Sequence, residues 1–417
     1  MFFLQGQISP KDLIPAKLCH SGRIAALSLI ERRSAMIYSH EELLGHTRLP
    51  LTLAEIILFI IIIYLLVAEG GKWRIWLGSL LLVYWIVLVA GKFWPPPKVE
   101  VPKSPLATKI AVREDPTTAN FVWSSEYRVG FWWHFFPVKK YFLIYKRALE
   151  EKILTQDDFI IPAHLGDQDL ALVHSRGYLL RLYLLAFTPM GFINGENPIS
   201  WYILKKLKVA CGGTYLACKI ALEQGIGMNL GGGFHHAFAG HEEGFCHLND
   251  MAVAIRKLQV ERFIDRAMVI DCDVHQGNGT AAIFQGDDTV FTFSIHQDDL
   301  YPYQKACSNY DISLPGSMRV DDENYLEQLK VLPDLIKKHH PDLVIYLAGA
   351  DPFKEDRLGG FLLTKQGLMD RDAYVLRLCA DRGIPIAVVL GGGYAPNIND
   401  TVEIHLNTVR VVDRLLN

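Results

Sequence analysis

Two long apolar runs stand near the N-terminal end of the chain. Leu51 to Ala68 carries one ionisable residue, Glu55, and Ile75 to Ala90 carries none. The spacer between them, Glu69 to Arg74, is turn-like and charged. Each run predicts one helix of a transmembrane hairpin over 51–93, the second close to the lower limit of roughly 17–20 residues needed to span. Trp73, Trp76 and Trp94 lie near the run ends, where interfacial aromatics belong. Arg32, Arg33 and Arg48 precede the hairpin, and Lys92, Lys98 and Lys103 follow it. The connecting loop has only Lys72 and Arg74. That bias predicts a multi-pass membrane protein with both ends, and so the bulk of the chain, in the cytoplasm. No charged segment followed by an early apolar core suggests a secretory signal.

Residues 1–50 show no clear pattern and are assigned no role. Residues 94–118 carry Pro95, Pro96, Pro97, Pro102 and Pro105, which predicts a semi-rigid extended linker. From residue 119 to 417 short apolar runs alternate with helical stretches. Strands are expected at Ile226–Leu230, Ala267–Ile270, Thr289–Ile295, Leu343–Leu347 and Ile386–Leu390. Helical stretches are expected at Leu248–Val260, Glu323–His339, Lys365–Ala380 and Asn397–Leu416. This alternation predicts an α/β domain, a parallel sheet covered by helices on both faces.

The 417 residues include 42 basic and 45 acidic side chains, with no basic block that would mark nucleic acid as a partner. Mean hydropathy is +0.16, high for a soluble enzyme, and the hairpin accounts for the excess. Seven dispersed cysteines without a CxxC pair fit a reducing compartment, without a disulfide framework or a cysteine-based zinc site.

The chemistry gathers just beyond the ends of the apolar runs. Gly231-Gly232-Gly233-Phe234-His235-His236 follows the first, and Asp271-Cys272-Asp273-Val274-His275 finishes the second. Gly349-Ala350-Asp351 and Gly391-Gly392-Gly393-Tyr394 follow two more. In an open α/β sheet, sites form outside the carboxyl ends of the strands. Asp273, His275 and Asp351 make a three-ligand oxygen/nitrogen set, the arrangement of a catalytic metal with an open position. A lone Asp-x-His is a common loop tripeptide, so the other loops carry the argument. Water activated at such a metal needs a base, and a leaving amine needs an acid. The His235–His236 pair can supply both, with Asp271 and Asn278 as the available partners that tune an imidazole. Tyr394 can donate to a developing oxyanion. The ligand set leaves Zn²⁺ and Fe²⁺ both open.

Residues Phe121 to the C-terminus resemble the zinc-dependent histone deacetylase family. The resemblance rests on Gly231–His236, Gly244-Phe-Cys-His-Leu-Asn-Asp250, Asp271-Cys-Asp-Val-His-Gln-Gly-Asn-Gly279, Gly349–Asp351, Asp356-Arg-Leu-Gly359 and Gly391–Tyr394, in the family's order. It implies a three-layer α/β/α arginase/deacetylase-like fold. It implies Zn²⁺ on Asp273, His275 and Asp351, with His236 as general base and then acid. His235 would support His236 electrostatically, with Asp271 behind it, and Tyr394 would hold the oxyanion. Gly244 and Phe245 resemble one wall of an acyl-lysine tunnel, and Tyr301 the opposite wall. Asp271, Ser294 and the backbone near Asp273 resemble an inner K⁺ site. Gln276-Gly277-Asn278, Tyr301-Pro302 and three glycines before Tyr394 are similar to the class IV branch, which is associated with removing long fatty acyl groups. The family's early His-Pro element is altered here to Trp133-His134-Phe135-Phe136-Pro137.

The expected activity is metal-dependent hydrolysis of the amide of an N-acyl-lysine in a protein or peptide, by a chain held at a membrane through residues 51–93. Two alternatives share the motifs: an amidohydrolase of acetylpolyamines or other small amides, and a catalytically silent acyl-lysine-binding membrane scaffold. A two-metal ureohydrolase is disfavoured, because it needs further carboxylates near Asp273 and His275, where position 277 is glycine.

Overall fold

The computed structural model describes residues 53–67, 72–92 and 119–417. The N-terminal segment 1–50 and the Pro-rich stretch 94–118 lie outside the described residues. The centre of the domain is an eight-stranded sheet in the order β2-β1-β3-β8-β7-β4-β5-β6. Its strands are β1 (Phe121–Val122), β2 (Phe159–Ile160), β3 (Ile226–Asn229), β4 (Ala267–Asp271), β5 (Val290–Gln297), β6 (Tyr310–Leu314), β7 (Leu343–Leu347) and β8 (Ile386–Val389). Every pairing is parallel.

A parallel sheet covered on both faces needs strands that are apolar on both sides. The sequences AMVID and LVIYL meet that need, and all ten residues are buried. Successive residues feed opposite cores, as the period of two requires. Val269, Leu343 and Ile345 join one core; Met268, Ile270 and Val344 join the other. Helices Arg176–Ala186, Trp201–Gln224 and Asp250–Val260 build the first layer. Helices Lys139–Glu150, Lys365–Ala380 and Ile398–Leu416 belong to the opposite one. The result is the expected three-layer α/β/α arrangement.

The stretch Glu323–His339 is not one helix. It forms Asp322–Leu329 and Leu332–His339, with Pro333 in the first turn of the second. Proline fits a first turn because its missing N–H would be unpaired there anyway, but it breaks a helix interior.

The apolar runs near the N-terminus do form a helical hairpin, α1 (Leu53–Val67) and α2 (Lys72–Lys92). However, among the described residues no helix is long and apolar enough to cross a membrane. The transmembrane hairpin expected over 51–93 is thus not found among the described residues. The described part of α1, 15 residues, is about 22 Å long, against a hydrocarbon core of roughly 30 Å. The uncharged part of α2, 75–90, is about 24 Å long. Protein also covers one face. Ile62 is fully buried, Leu58 nearly so, and Leu81, Leu82 and Trp85 pack on the same core. The Tyr84 hydroxyl lies 2.7 Å from Thr188 Oγ1. The opposite face, with Ile60, Tyr64, Trp76, Leu80 and Val83, is exposed.

Candidate metal centre

The four strands whose ends carry the candidate residues are neighbours, in the order β3-β8-β7-β4. Their loops therefore meet at one end of the sheet. Asp271 ends β4, and Asp273 and His275 follow it in the next loop. Asp351 lies just beyond β7. Ligand atoms of Asp273, His275 and Asp351 all lie within 4.8 Å of one another, and all three residues are buried.

Backbone groups aim both carboxylates. Asp273 Oδ1 accepts from His275 N at 3.0 Å, and Oδ2 from Gly392 N at 2.8 Å. Asp351 Oδ1 accepts from Val274 N at 2.9 Å. Asp351 Oδ2 is buried with no hydrogen-bond partner, and His275 Nδ1 lies 3.3 Å away. Burial and the neighbouring Asp273 charge push Asp351 up to about 7. Two carboxylates and an imidazole, pointed at one another with an orphaned oxygen, fit a divalent cation of the zinc or iron type. The glycine loop closes tightly on this set. A Cβ at Gly392 would stand 1.9 Å from Asp351 Oδ2. Among the described residues this is the one such group of potential ligands. A Cβ at Gly277 would come 2.3 Å from Asp271 Oδ2, leaving no room for the second carboxylate of a two-metal centre.

Asp250 sets the approach of the histidine pair. Its carboxylate accepts from Gly233 N at 3.0 Å and Phe234 N at 2.8 Å. Two different partners then separate the neighbours. His235 Nδ1 donates to Asp271 Oδ2 at 2.8 Å. Burial opposes a charge on His235, but Asp271 and Asp273 outweigh it and hold the imidazole up to about 8. His236 Nδ1 lies 2.7 Å from Asn278 Oδ1, and Asn278 Nδ2 donates to Glu243 Oε1 at 2.7 Å. That second bond orients the amide, so its oxygen faces His236 and only accepts. His236 therefore carries its proton on Nδ1 and presents a free Nε2. Burial first, then the charges of His235 and His275, push His236 well below the usual imidazole range. It is neutral, as a proton acceptor must be.

Tyr394 lines the same small cavity as His235, His236, Asp273 and His275. Burial first, then Asp273 and Asp351, push its phenol well above the ordinary range, so it remains a donor. Gly393 at φ +120° starts the turn, and Tyr394 N donates to Asp356 Oδ2 at 2.6 Å. Phe245, at φ +66°, packs its ring 6.1 Å from Tyr394. The Tyr301 ring stands 5.0 Å from His236. Asp271 and Ser294 are register partners on β4 and β5, with the Ser294 hydroxyl 2.9 Å from His296 Nδ1. The structure thus brings together every residue singled out from the sequence.

Three further residues were not legible. Glu196 Oε1 accepts from Gly244 N at 3.0 Å and from the Tyr301 hydroxyl at 3.3 Å, joining the two walls. Buried Lys140 donates to the carbonyls of Gly391 and Gly392. Buried Arg371 donates to Cys272 O at 3.1 Å and Gly349 O at 2.7 Å, holding both loops that carry ligands. The altered 133–137 segment packs over the site, its Phe135 and Phe136 rings 5.8 and 6.2 Å from Tyr394.

A family model for the histone deacetylase domain matches residues 134–409. An uncharacterised protein of Picosynechococcus sp. is 41% identical over 273 residues, covering 65% of this chain and 90% of its own. Histone deacetylase 2 of Arabidopsis thaliana is 29% identical over 302 residues, covering 68% and 78%. A crystal structure of the HDA15 HD domain superposes with a TM-score of 0.61 at 23% identity, over 72% of this chain and 88% of that one. That last likeness concerns the fold.

Proposed function

The chain belongs to the histone deacetylase family, and from that premise we propose that it is a zinc-dependent deacetylase of acetyl-lysine in proteins or peptides. The observation that carries this reading is His236, held through Nδ1 by Asn278 Oδ1, beside a buried Asp273–His275–Asp351 set with an orphaned carboxylate oxygen. A divalent ion held by those three residues supplies Lewis acidity to the amide carbonyl and to water. His236 Nε2 takes the proton of the attacking water and returns it to the lysine nitrogen as the C–N bond breaks. The charged His235, held by Asp271, stabilises the negative charge that develops. Tyr394 donates to the oxygen of the former carbonyl. Phe245 and Tyr301 flank the aliphatic part of the lysine. A K⁺ ion near Asp271 and Ser294 remains part of the proposal.

The geometry favours a short acyl group over the long chains associated with class IV. The cavity at the ligands encloses about 20 Å³, room for one or two water-sized groups. Phe136 and Tyr141 line it. Peptides of one sequence should therefore be deacetylated with a kcat/KM at least roughly tenfold above that for demyristoylation, because a long chain must displace packed aromatics. Paired steady-state assays check this. Equal or better demyristoylation would restore the long-chain reading and leave the metal chemistry untouched.

Localisation at a membrane surface is proposed in place of a crossing. The outward faces of α1 and α2 expose Ile56, Ile60, Ile63, Trp76, Leu80 and Val83, and a helix with one apolar face can lie in the interface. Full-length protein should float with liposomes. Ile60→Glu/Leu80→Glu should reduce flotation by about tenfold or more, since each buried side chain of this size contributes roughly 1.5–3 kcal/mol. Protein that stays in the aqueous fraction, or a double variant that floats unchanged, refutes it.

A further inference from the structure

The two histidines of the pair meet carboxylates in different ways. His235 Nδ1 donates to one directly, Asp271 Oδ2 at 2.8 Å. His236 has an amide in that place. Its Nδ1 lies 2.7 Å from Asn278 Oδ1, and the other end of the amide donates to Glu243 Oε1 at 2.7 Å. Gly279 N also donates to Asn278 Oδ1, at 3.0 Å. With the amide turned over, its NH₂ would face two donors and its oxygen a carboxylate, so one orientation is fixed. Asn278 is buried, which strengthens its bonds. Glu243 stands at the outer end of this chain, with 25% of its side chain exposed and Oε2 3.4 Å from His241 Nε2. The backbone of Glu243 is held without its side chain. Its N donates to Cys246 O at 3.0 Å, and its O accepts from Cys246 N at 2.8 Å. These two bonds close the turn that presents Phe245, so the carboxylate is not needed for it. Glu243 also neighbours Tyr301, whose phenol is pushed up by burial first and then by Glu243 and Glu196.

We propose that Glu243 is a positioning residue for the hydrolysis, acting on the base His236 through the Asn278 amide. The inference rests on the deacetylase reading for the reaction it serves. When His236 Nε2 takes the proton of the attacking water, the ring becomes an imidazolium. Its Nδ1 proton stays where it is, because an amide oxygen accepts the hydrogen bond without taking the proton. Positive charge therefore develops in place, in a buried site that disfavours it. A direct carboxylate would offset that charge, but it would also hold the ring protonated beforehand, as Asp271 and Asp273 hold His235 up to about 8. An amide alone would leave the ring a free base and offer it only a dipole. An amide with a carboxylate behind it lies between these cases. Glu243 polarises Asn278, and chained hydrogen bonds in a low-dielectric interior strengthen one another. The ring is a free base at rest and gains support as it charges.

The test is a double-mutant cycle on the full-length, metal-loaded protein with an acetyl-lysine peptide. Glu243→Gln keeps the shape and an oxygen for the Asn278 amide but removes the charge. It should lower kcat about tenfold, the scale of one charge-assisted hydrogen bond made neutral. KM and metal content should not change. In an Asn278→Ala background, where the relay is cut, the same substitution should change kcat by less than about twofold. An equal loss in both backgrounds would make Glu243 a support of the Phe245 turn and overturns the proposal. A normal kcat for Glu243→Gln overturns it too. A second readout needs no turnover. In ¹⁵N-histidine-labelled protein the Nδ1 proton of His236 should resonate downfield. Glu243→Gln should move it upfield as the bond to Asn278 weakens. That resonance decides the question if Asn278→Ala does not fold, and an unmoved resonance overturns the relay. A moving resonance in a protein inactive on acetyl-lysine leaves the relay standing and refutes the proposed substrate. An active enzyme with neither effect refutes the relay alone.

Discussion

Asp351→Ala should empty the metal centre and lower hydrolysis of acetyl-lysine peptides by at least about 10³-fold. The Lewis acid contributes several kcal/mol to the transition state, and each 1.36 kcal/mol is tenfold in rate. Asp351 is the sharpest place to remove it. The residue is 0% exposed, and its Oδ2 has no hydrogen-bond partner in the protein. Its Oδ1 holds Val274 N, which leaves Oδ2 to face a cation. Wild-type protein should carry about one divalent ion per chain, the content of a single three-ligand site, and the variant close to none. Elemental analysis and rate measured on the same sample decide it; a fully occupied, active Asp351→Ala protein removes Asp351 from the ligand set. A stability measurement sharpens the point. Burial and Asp273 raise Asp351 to about 7 in the folded metal-free protein, against about 4 when unfolded. The folded state then binds the extra proton between those values. Metal-free wild type should lose stability as the pH rises from about 4 to 7. Asp351→Asn, which has no proton to lose, should lack that part of the slope.

The central strands were legible because a fully buried parallel strand is a continuous apolar run bounded by polar loops. The edge of the sheet was not. β1 and β2 are two residues each, and β6 is the mixed sequence YDISL, with two half-buried positions. The helix Trp201–Gln224 also escaped, since its buried residues surround Cys211-Gly212-Gly213 rather than form one stripe. A Cβ at Gly212 would stand 1.8 Å from Ala163 O, so that segment is shaped by close approach and not by periodicity. The setting of the hairpin was not legible for a different reason. Hydropathy adds up the same whether an apolar face meets lipid or protein, and the packing of Ile62 on the domain core is visible only in the fold.

Candidate site residues were readable wherever they sat beside glycine loops at strand ends. Those that act across the chain were harder to see. Lys140 reaches Gly391 and Gly392 from some 250 positions away. One local signal did exist: Lys140 shares a helical face with buried Ile144 and Ala148, a cation on an apolar stripe. Glu196 lies in a polar loop where a carboxylate carries no information until Gly244 and Tyr301 are beside it.

Tyr394→Phe should lower kcat by roughly 10²–10³, the scale of one lost oxyanion donor, with little change in KM. The substitution isolates the hydroxyl because the rest of the residue is held independently. Its backbone N–H is fixed on Asp356, and its ring packs against Phe135, Phe136 and Phe245. A phenylalanine keeps all of these contacts. Burial first, and then the carboxylates Asp273 and Asp351, push the phenol well above its ordinary range, so the wild-type group is a donor. It is most needed when the carbonyl oxygen gains charge, which is why the loss belongs in kcat. Metal content should stay at the wild-type level, separating this variant from Asp351→Ala. A near-normal kcat would mean that another group carries the oxyanion and that Tyr394 merely closes the glycine turn. A fall accompanied by metal loss would instead make the Tyr394 loop a structural support of the ligand set, through the Gly392 N–H that orients Asp273.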